Sequence, residues 1–263
     1  MKSLTPPSLL CVLGFTLVPL ITCLDPPASP CPGQVRPVSD SLSELITVAR
    51  TLIQPSKSPI CIMEVGTGDG SGTTVSLFNT MLMSCRNESE HRDFRIHTYE
   101  GLPSLAQRAV KFWEGEGRVT VVNELAMLDD TIAKHILPLV TSLSNLDFPG
   151  RGFYIHFYNN HNNKVAKGIY GKHLKTLPNC TLDLVLLDGA RFSHVGVIHT
   201  LFSKANLTSP DTVYMVENDH WTEPYNGDQI GVLNTTWSLT DVHRSTPSGQ
   251  MWPWAAFKIN SVR

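Results

Sequence analysis

Short apolar segments alternate with segments of helical periodicity along most of the chain, and this alternation limits the fold more than any other feature. Parallel strands need a long crossover between them, and a helix is the usual crossover. The pattern therefore predicts an α/β fold: a doubly wound, mostly parallel sheet with helices on both faces. The predicted strands are residues 60–65, 94–99, 118–123, 182–187 and 212–216, and the predicted helices are residues 73–83, 102–113, 127–143 and 195–205.

The two ends of this alternating region differ from its middle. Ser41-Leu-Ser-Glu44 is a capping box, and it predicts a further helix that ends before Pro55. Near the other end, residues 237–243 and 252–259 flank a turn rich in Pro, Gly and Ser, which predicts a C-terminal antiparallel hairpin. We therefore expect seven strands in one domain, residues 39–263, with an irregular insertion near residues 144–178.

The N-terminal segment predicts export. One Lys precedes a mostly apolar run, residues 9–24, which has the length of a signal-peptide core and is short for a membrane span. We expect residues 1–24 to be a signal peptide or, if uncleaved, a signal anchor, followed by a Pro-rich linker at residues 25–38. Both alternatives place the domain outside the cytosol. The prediction is a secreted or endoplasmic reticulum lumenal protein, without a membrane span once the leader is cleaved.

Cysteines and glycosylation sequons agree with export. Four cysteines follow the leader, an even number that is compatible with two disulfides. Cys61 opens one predicted strand and Cys180 precedes another, so the two could bridge if those strands are neighbours; the alternative is that Cys61 is a buried free thiol. Four sequons predict a glycoprotein. The cysteines are Cys31, Cys61, Cys85 and Cys180, and the sequons begin at Asn87, Asn179, Asn206 and Asn234.

The charge balance bears on the class of partner. A formal net charge of −2 gives no reason to expect nucleic acid or an acidic membrane surface. The expected partner is therefore a small molecule, and the sequence does not indicate an oligomeric state.

The first predicted strand leads into a glycine-rich loop. The strand end and the loop together read Glu64-Val-Gly-Thr-Gly-Asp-Gly-Ser-Gly72. In doubly wound sheets, ligands bind at the carboxyl ends of the strands, where this loop lies. Its spacing differs from the Gly-x-Gly-x-x-Gly of dinucleotide sites, it has no P-loop Lys, and its Glu64 and Asp69 would repel a pyrophosphate. These acids favour a cationic ligand, while the helix start near residues 72–74 can take a carboxylate. Glu100, which ends the second strand, can accept hydrogen bonds from ribose hydroxyls.

This constellation resembles the class I (Rossmann-like) S-adenosylmethionine-dependent methyltransferases. Their E/D-x-G-x-G-x-G loop matches residues 64–72, and their ribose-binding acid matches Glu100. The resemblance covers roughly residues 40–260 and also implies the C-terminal hairpin. It implies S-adenosylmethionine as the cofactor, bound by Glu64, Gly66, Thr67, Gly68, Gly70 and Glu100.

Acids also end the fourth and fifth predicted strands. Asp188, Glu217 and Asn218 could supply three oxygen ligands to Mg²⁺ or a similar hard cation. The set is similar to that of the cation-dependent O-methyltransferases of the catechol O-methyltransferase type, which have an Asp after strand four and an Asp-Asn pair after strand five. Here Glu217 replaces the Asp of that pair, and Asp219 is an alternative ligand. The other interpretation is that these residues are strand-end acids that cap helices.

The resemblance also implies a catalytic base three residues after the first metal ligand, where the family has Lys. This chain has Arg191, which does not lose its proton near neutral pH. His194 has a suitable pKa and could replace it, although a surface His at a helix start is the plainer interpretation. The predicted catalytic residues are therefore Asp188, Arg191 and His194.

Together these features predict a function. We expect transfer of a methyl group from S-adenosylmethionine to a small hydroxylated acceptor, in the secretory pathway or outside the cell. The alternative is a catalytically inactive secreted protein that keeps the fold as a binding module. Arg191, and export away from the main cofactor pool, favour this alternative.

Overall fold

The computed structural model describes residues 42–53, 59–86, 93–127, 171–177, 181–189, 194–204, 207–217, 229–244 and 254–262. Its strands are β1 (Ile60–Val65), β2 (Phe94–Tyr99), β3 (Val119–Val122), β4 (Leu184–Leu187), β5 (Val213–Glu217), β6 (Trp237–Arg244) and β7 (Trp254–Val262). Its helices are α1 (Leu42–Thr51), α2 (Thr73–Arg86), α3 (Pro103–Phe112), α4 (His194–His199) and α5 (Gln229–Thr236), with a 3₁₀ turn at Leu174–Thr176 and a π-helical turn at Thr200–Lys204.

The strands form one sheet in the order β3-β2-β1-β4-β5-β7-β6. The first five strands pair in parallel. β7 is antiparallel to both β5 and β6, so the last strand of the chain enters the sheet between them. The predicted fold class is confirmed: the sheet is doubly wound, mostly parallel and seven-stranded, and it ends in an antiparallel pair, as the resemblance to class I methyltransferases implies.

The bounds of the predicted elements agree with the structure to within a few residues. β1 and β2 have the predicted bounds, and the helix predicted at residues 73–83 continues to Arg86. The strand predicted at residues 182–187 begins later, at Leu184, because the Leu182 N–H is donated to the carbonyl of Leu207 at 2.7 Å, outside the sheet.

One helix of the structure, α5, is not predicted from the sequence. Its sequence QIGVLNTT contains Gly, Asn and β-branched residues, which have weak helix propensity. The helix predicted at residues 127–143 lies outside the described residues, as do the leader, the linker and most of the insertion.

Each face of the sheet buries its own apolar core. One core joins α1 and α2 to the β1 side chains Ile60 and Ile62, and the other joins α4 and α5 to Cys61 and Met63. This alternation is the period-two pattern of a strand buried on both faces. In the part of the chain that the structure describes, none of the helices has the length and apolar character to cross a bilayer.

Cys61 and Cys85 are both disulfide-bonded. Cys61 belongs to the core that contains α4, whereas Cys85 belongs to the core that contains α2, on the opposite face of the sheet. The predicted partner of Cys61 is Cys180, which lies outside the described residues, so that pairing stays a prediction.

The sheet order fixes where a ligand site can form. β1 pairs with β2 on one side and with β4 on the other. From β1 the chain proceeds toward β2 and β3, whereas from β4 it proceeds toward β5, so the strand order reverses between β1 and β4. In open α/β sheets, the crevice outside the carboxyl ends of the strands at such a reversal is the usual ligand site.

Candidate cofactor site

The glycine-rich loop, residues 66–72, lies at this reversal and is held by the end of β2. The Gly66 N–H is donated to the carbonyl of Tyr99 at 2.9 Å, and the Gly68 N–H is donated to Oε2 of Glu100 at 2.9 Å. Farther along, Asp69 accepts the N–H and the hydroxyl of Ser71, which hold the pKa of Asp69 below its usual value. Hydrogen bonds within the protein therefore hold the conformation of the loop.

The glycines of this loop serve two different purposes. Gly66 has a φ of 104°, and a side chain there would overlap the carbonyl of Asp188. Gly70 has a φ of 85°, and an added Cβ would lie 2.9 Å from Nε1 of Trp113. At Gly68 and Gly72, by contrast, an added Cβ would meet no described atom within 4 Å. Packing thus requires glycine at Gly66 and Gly70, whereas at Gly68 and Gly72 no described atom would contact an added side chain.

Glu64, the last but one residue of β1, is fully buried beneath the loop. Its Oε2 accepts hydrogen bonds from the hydroxyls of Thr74 and Thr98, each at 2.6 Å, and its Oε1 has no hydrogen-bond partner among the described residues. Burial raises the pKa of Glu64 to about 8; the two hydroxyls oppose this change, and the carboxylates of Asp188 and Glu100 add to it. Glu64 is therefore largely protonated at neutral pH.

Thr67 extends this buried network into the loop. Its hydroxyl is hydrogen-bonded to the hydroxyl of Thr98, which in turn donates to Glu64. The predicted binding residues Glu64 and Thr67 therefore lie together, but both are buried, at 0% and 3% exposure.

Glu100 fastens the loop to the start of α3. One carboxylate oxygen accepts the Gly68 N–H, and the other accepts the Leu102 N–H at 2.7 Å. The Glu100 carbonyl accepts the side-chain amide of Asn123 at 2.8 Å. Glu100 therefore holds the backbone of the loop through both of its carboxylate oxygens.

Asp188 follows β4 and faces α2. Its backbone N–H is donated to the Val65 carbonyl at 2.8 Å, and its Oδ2 accepts the hydroxyl of Thr73. This places a third acid beside the same loop. Glu64, Glu100 and Asp188 therefore converge from three neighbouring strands, β1, β2 and β4.

The predicted metal ligands are only partly described. The backbone of Glu217 ends β5, which pairs with β4, but its side chain and the whole of Asn218 and Asp219 lie outside the described residues. Across the residues that the structure does describe, no cluster of three or more His, Cys, Asp or Glu side chains is placed to hold a metal ion. The Mg²⁺ site stays a prediction.

Of the predicted catalytic residues Arg191 and His194, the structure describes His194 alone. Arg191 lies outside the described residues. His194 is the first residue of α4 and is fully buried, so the interpretation as a surface histidine is wrong. The reason is its place in the helix, since the side chains that follow it in α4 form part of the apolar core beneath the sheet.

The described end of the insertion contacts β2 beside this site. The Tyr99 hydroxyl and Nδ1 of His173 are 2.7 Å apart, and the ring centroids of His173 and His97 are 5.3 Å apart. Burial lowers the pKa of His97 to about 4, and His173 and Arg95 add to this effect. Burial also lowers the pKa of His173, against the opposing influence of Glu124, and raises that of Tyr99. Tyr99 therefore keeps its proton and is hydrogen-bonded to a neutral His173, whose tautomer decides which of the two groups donates.

Sequence reasoning missed several residues of the site. The hydroxyls of Thr73, Thr74 and Thr98 contact its acids, and the indole of Trp113 donates to the Gly70 carbonyl at 3.1 Å. The two threonines directly after the glycines could have been noted from their place at a helix start. Trp113 gives no such signal, because it is 43 residues from Gly70 along the chain.

The sequence matches no protein-family model and no curated protein. Solved structures similar to it include an O-methyltransferase from Bacillus cereus in complex with SAH, with 15% identity, coverage of 85% of this chain and 83% of that chain, and a TM-score of 0.46. Fibrillarin from Aeropyrum pernix with natively bound S-adenosyl-L-methionine has 10% identity, coverage of 81% and 73%, and a TM-score of 0.44. A putative rRNA methylase from Clostridium thermocellum has 11% identity, coverage of 86% and 99%, and a TM-score of 0.42. At such identities an activity has to be argued from the site itself.

The two kinds of glycine predict effects of different size on stability when each is replaced by alanine. Gly66→Ala forces a side chain into the Asp188 backbone at a strained φ, so we expect a loss of at least about 2 kcal/mol in the free energy of unfolding. Gly72→Ala meets no such obstacle and should change it by less than about 1 kcal/mol. Urea denaturation measures both, and equal losses in the two variants would contradict the assignment.

Glu64 should make stability depend on pH. Its pKa rises from 4.5 to about 8 on folding, so between these values the folded state keeps a proton that the unfolded state loses. The contribution of Glu64 to the free energy of unfolding is fully present below pH 4.5 and is lost as the pH rises toward about 8. Glu64→Gln, which stays neutral, should gain stability relative to the wild type from pH 5 to pH 8. Denaturation curves at pH 5 and pH 8 measure the free energy of unfolding of both proteins. A difference between Glu64→Gln and the wild type that is the same at the two pH values would refute the prediction.

Proposed function

We propose that the chain is a methyltransferase that uses S-adenosylmethionine and acts on a small hydroxylated acceptor. One observation carries the proposal. Three acids at the ends of neighbouring strands, Glu64, Glu100 and Asp188, border a glycine loop whose Gly68 and Gly72 face open space. Acidic groups beside an approachable backbone suit a ligand that carries positive charge.

Charge decides between this cofactor and a phosphate ligand. Glu64 is fully buried with one oxygen unpartnered among the described residues, and a nearby cation would stabilise its ionised form. A phosphate in the same place would add negative charge beside Asp188 and Glu100, which already disfavour ionisation of Glu64. Interactions between charges are strong in such a poorly solvated site. The acids therefore support a cationic ligand and oppose a phosphate.

The residues present fit S-adenosylmethionine. A carboxylate such as that of Glu100 can accept hydrogen bonds from ribose hydroxyls, and the absence of any described atom near a side chain added at Gly68 or Gly72 permits close approach of the cofactor to the backbone. The cofactor would supply an electrophilic methyl group carried on a sulfonium. The protein's part would be to bind it, exclude water from it and orient the acceptor oxygen toward it.

The choice of a hydroxylated acceptor, with Mg²⁺ as a second cofactor, rests on the sequence pattern at the ends of β4 and β5. Asp188 follows β4, and Glu217 ends the adjacent β5. With Asn218, these residues would hold a cation that favours the deprotonated form of an acceptor hydroxyl. Arg191 stands where the resemblance implies a Lys base, and it keeps its proton near neutral pH, so we do not assign proton removal to Arg191.

The second candidate function is a binding module that has the fold without turnover. Arg191 in place of the expected base favours it. Such a protein would use the same acids and open loop to hold a cationic ligand. The two candidate functions therefore share the binding of the cationic ligand and differ in whether a methyl group is then transferred to an acceptor.

We further propose that the protein works in the endoplasmic reticulum lumen or outside the cell, as a glycoprotein. The apolar leader and the sequons support this location. Cys61 and Cys85 support it as well, because disulfide-bonded residues on opposite faces of a sheet belong to separate disulfides, and disulfides persist in oxidising compartments.

Calorimetric titration of the mature chain from a secretory host, with S-adenosylmethionine, tests the binding step. We expect saturable binding, and we expect Gly72→Ala to weaken it by about tenfold or more because its methyl group occupies the space that the cofactor approaches. Gly115→Ala is a matched control, since its added Cβ also meets no described atom within 4 Å, although its φ of 84° costs some stability.

The outcomes of this titration are distinct. No binding at millimolar cofactor would end the proposal. Binding that both alanine variants leave unchanged would mean that the cofactor lies elsewhere. Titration with and without Mg²⁺, followed by an assay of methyl transfer to catechol-like acceptors, separates the enzyme from the binding module. Glu100→Ala is less informative, because it also releases the backbone of the loop.

The assignment of two separate disulfides has its own test. Non-reducing peptide mapping of the secreted protein should find Cys61 and Cys85 in different cross-linked peptides, with Cys61 joined to Cys180. Reduction should lower the free energy of unfolding by roughly 2–5 kcal/mol for each bridge lost. Free thiols at Cys61 and Cys85 in the secreted protein would contradict both the bridges and this argument for location.

A further inference from the structure

The outer side of the glycine loop contacts the end of α3. Trp113, the residue that follows this helix, donates its indole N–H to the carbonyl of Gly70 at 3.1 Å. The Trp113 side chain is almost fully buried, at 3% exposure. The carbonyl of a loop residue thus accepts a hydrogen bond from a side chain that belongs to the core.

The fit between Gly70 and Trp113 is close. Gly70 has a φ of 85°, and a Cβ at this position would lie 2.9 Å from Nε1 of Trp113 and 3.1 Å from Cα of Ala109. Both distances are shorter than an ordinary van der Waals contact. Gly70 therefore cannot be replaced by a residue with a side chain without a clash, and the indole N–H holds the Gly70 carbonyl.

Trp113 is itself anchored in an aromatic cluster. Its ring centroid is 5.1 Å from that of Phe78 in α2 and 5.3 Å from that of Phe112. The Arg118 guanidinium lies 5.2 Å from the centre of the Phe78 ring and is paired with Glu116 at 2.9 Å. Aromatic pairs in tilted or edge-to-face arrangements resist reorientation. The donor that holds the loop is therefore part of the rigid core.

We propose that Trp113 is a positioning residue for the cofactor, which holds the outer side of the glycine loop so that its open face is formed before the ligand arrives. The proposal rests on the function proposed above. Glu100 holds the loop at the Gly68 N–H, and Trp113 holds it two residues later at the Gly70 carbonyl. A loop ordered in advance spares the ligand the cost of ordering it on binding.

The test compares two variants that loosen the aromatic cluster to a similar degree. Trp113→Phe keeps a ring and removes the N–H donor to Gly70. Phe112→Leu removes an aromatic contact to Trp113 and leaves that donor in place. Three quantities are measured on the full mature chain: the free energy of unfolding, amide hydrogen exchange of residues 66–74 without cofactor, and the dissociation constant for S-adenosylmethionine.

We expect both variants to lose stability and only Trp113→Phe to alter the loop. In that variant the amides of residues 66–74 should exchange faster, and the affinity for the cofactor should fall about fivefold to tenfold, the effect of losing one buried hydrogen bond. Phe112→Leu should leave loop exchange near the wild-type rate and affinity within about twofold. Equal effects of the two variants on exchange and affinity would overturn the proposal.

Two further arms keep the outcome decisive. If Trp113→Phe does not fold, benzothienylalanine placed at this position retains the bicyclic shape and replaces the N–H with sulfur, and the same changes are expected. If the wild type binds no S-adenosylmethionine, the proposed function fails, while loop exchange measured without cofactor still decides whether Trp113 orders the loop. Unchanged exchange in the benzothienylalanine protein would refute the inference in either case.

Discussion

The contact between the Gly66 backbone and the carbonyl of Asp188 is the constraint on which the site depends. β1 and β4 are neighbours, and the Asp188 N–H is bonded to the Val65 carbonyl, so the loops that follow the two strands touch as they leave the sheet. Only a residue without a side chain can pass at this point. Because the loops are so close, acids at the ends of separate strands come to border one small volume.

The electrostatic character of the site follows from this crowding. Three carboxyl groups next to one another cannot all ionise without cost, and the most buried of them, Glu64, keeps its proton at neutral pH. The threonine hydroxyls around Glu64 satisfy one of its oxygens, and the other has no hydrogen-bond partner among the described residues. A ligand with positive charge near Glu64 would favour its ionised form.

Much of this architecture could be predicted from the sequence, and the physical reasons are specific. β1, ICIMEV, is an almost continuous apolar run, and β2, FRIHTY, begins with apolar residues that alternate with polar ones, so both patterns predict strands. Glu64 and Glu100 were identifiable because parallel strands bring their carboxyl ends to one edge. Trp113 was not, because its bond to Gly70 depends on how α3 packs against the loop, and no spacing in the chain encodes it. The burial of His194 was missed for a similar reason, since a helix start gives no indication of which side faces the core.

The contact between Tyr99 and His173 has a consequence for the behaviour of the protein in acid. The segment around His173 is fastened to β2 through an uncharged imidazole, and its neighbour His97 is also held neutral, with a pKa of about 4. As the pH falls below 6.5, the ordinary value for histidine, the unfolded chain takes up protons that the folded His97 refuses until about pH 4. Each step of acidification in that interval therefore reduces the contribution of His97 to the stability of the folded state. Glu64 acts in the opposite direction over the same interval, so acid favours the folded state at one of these two buried groups and the unfolded state at the other.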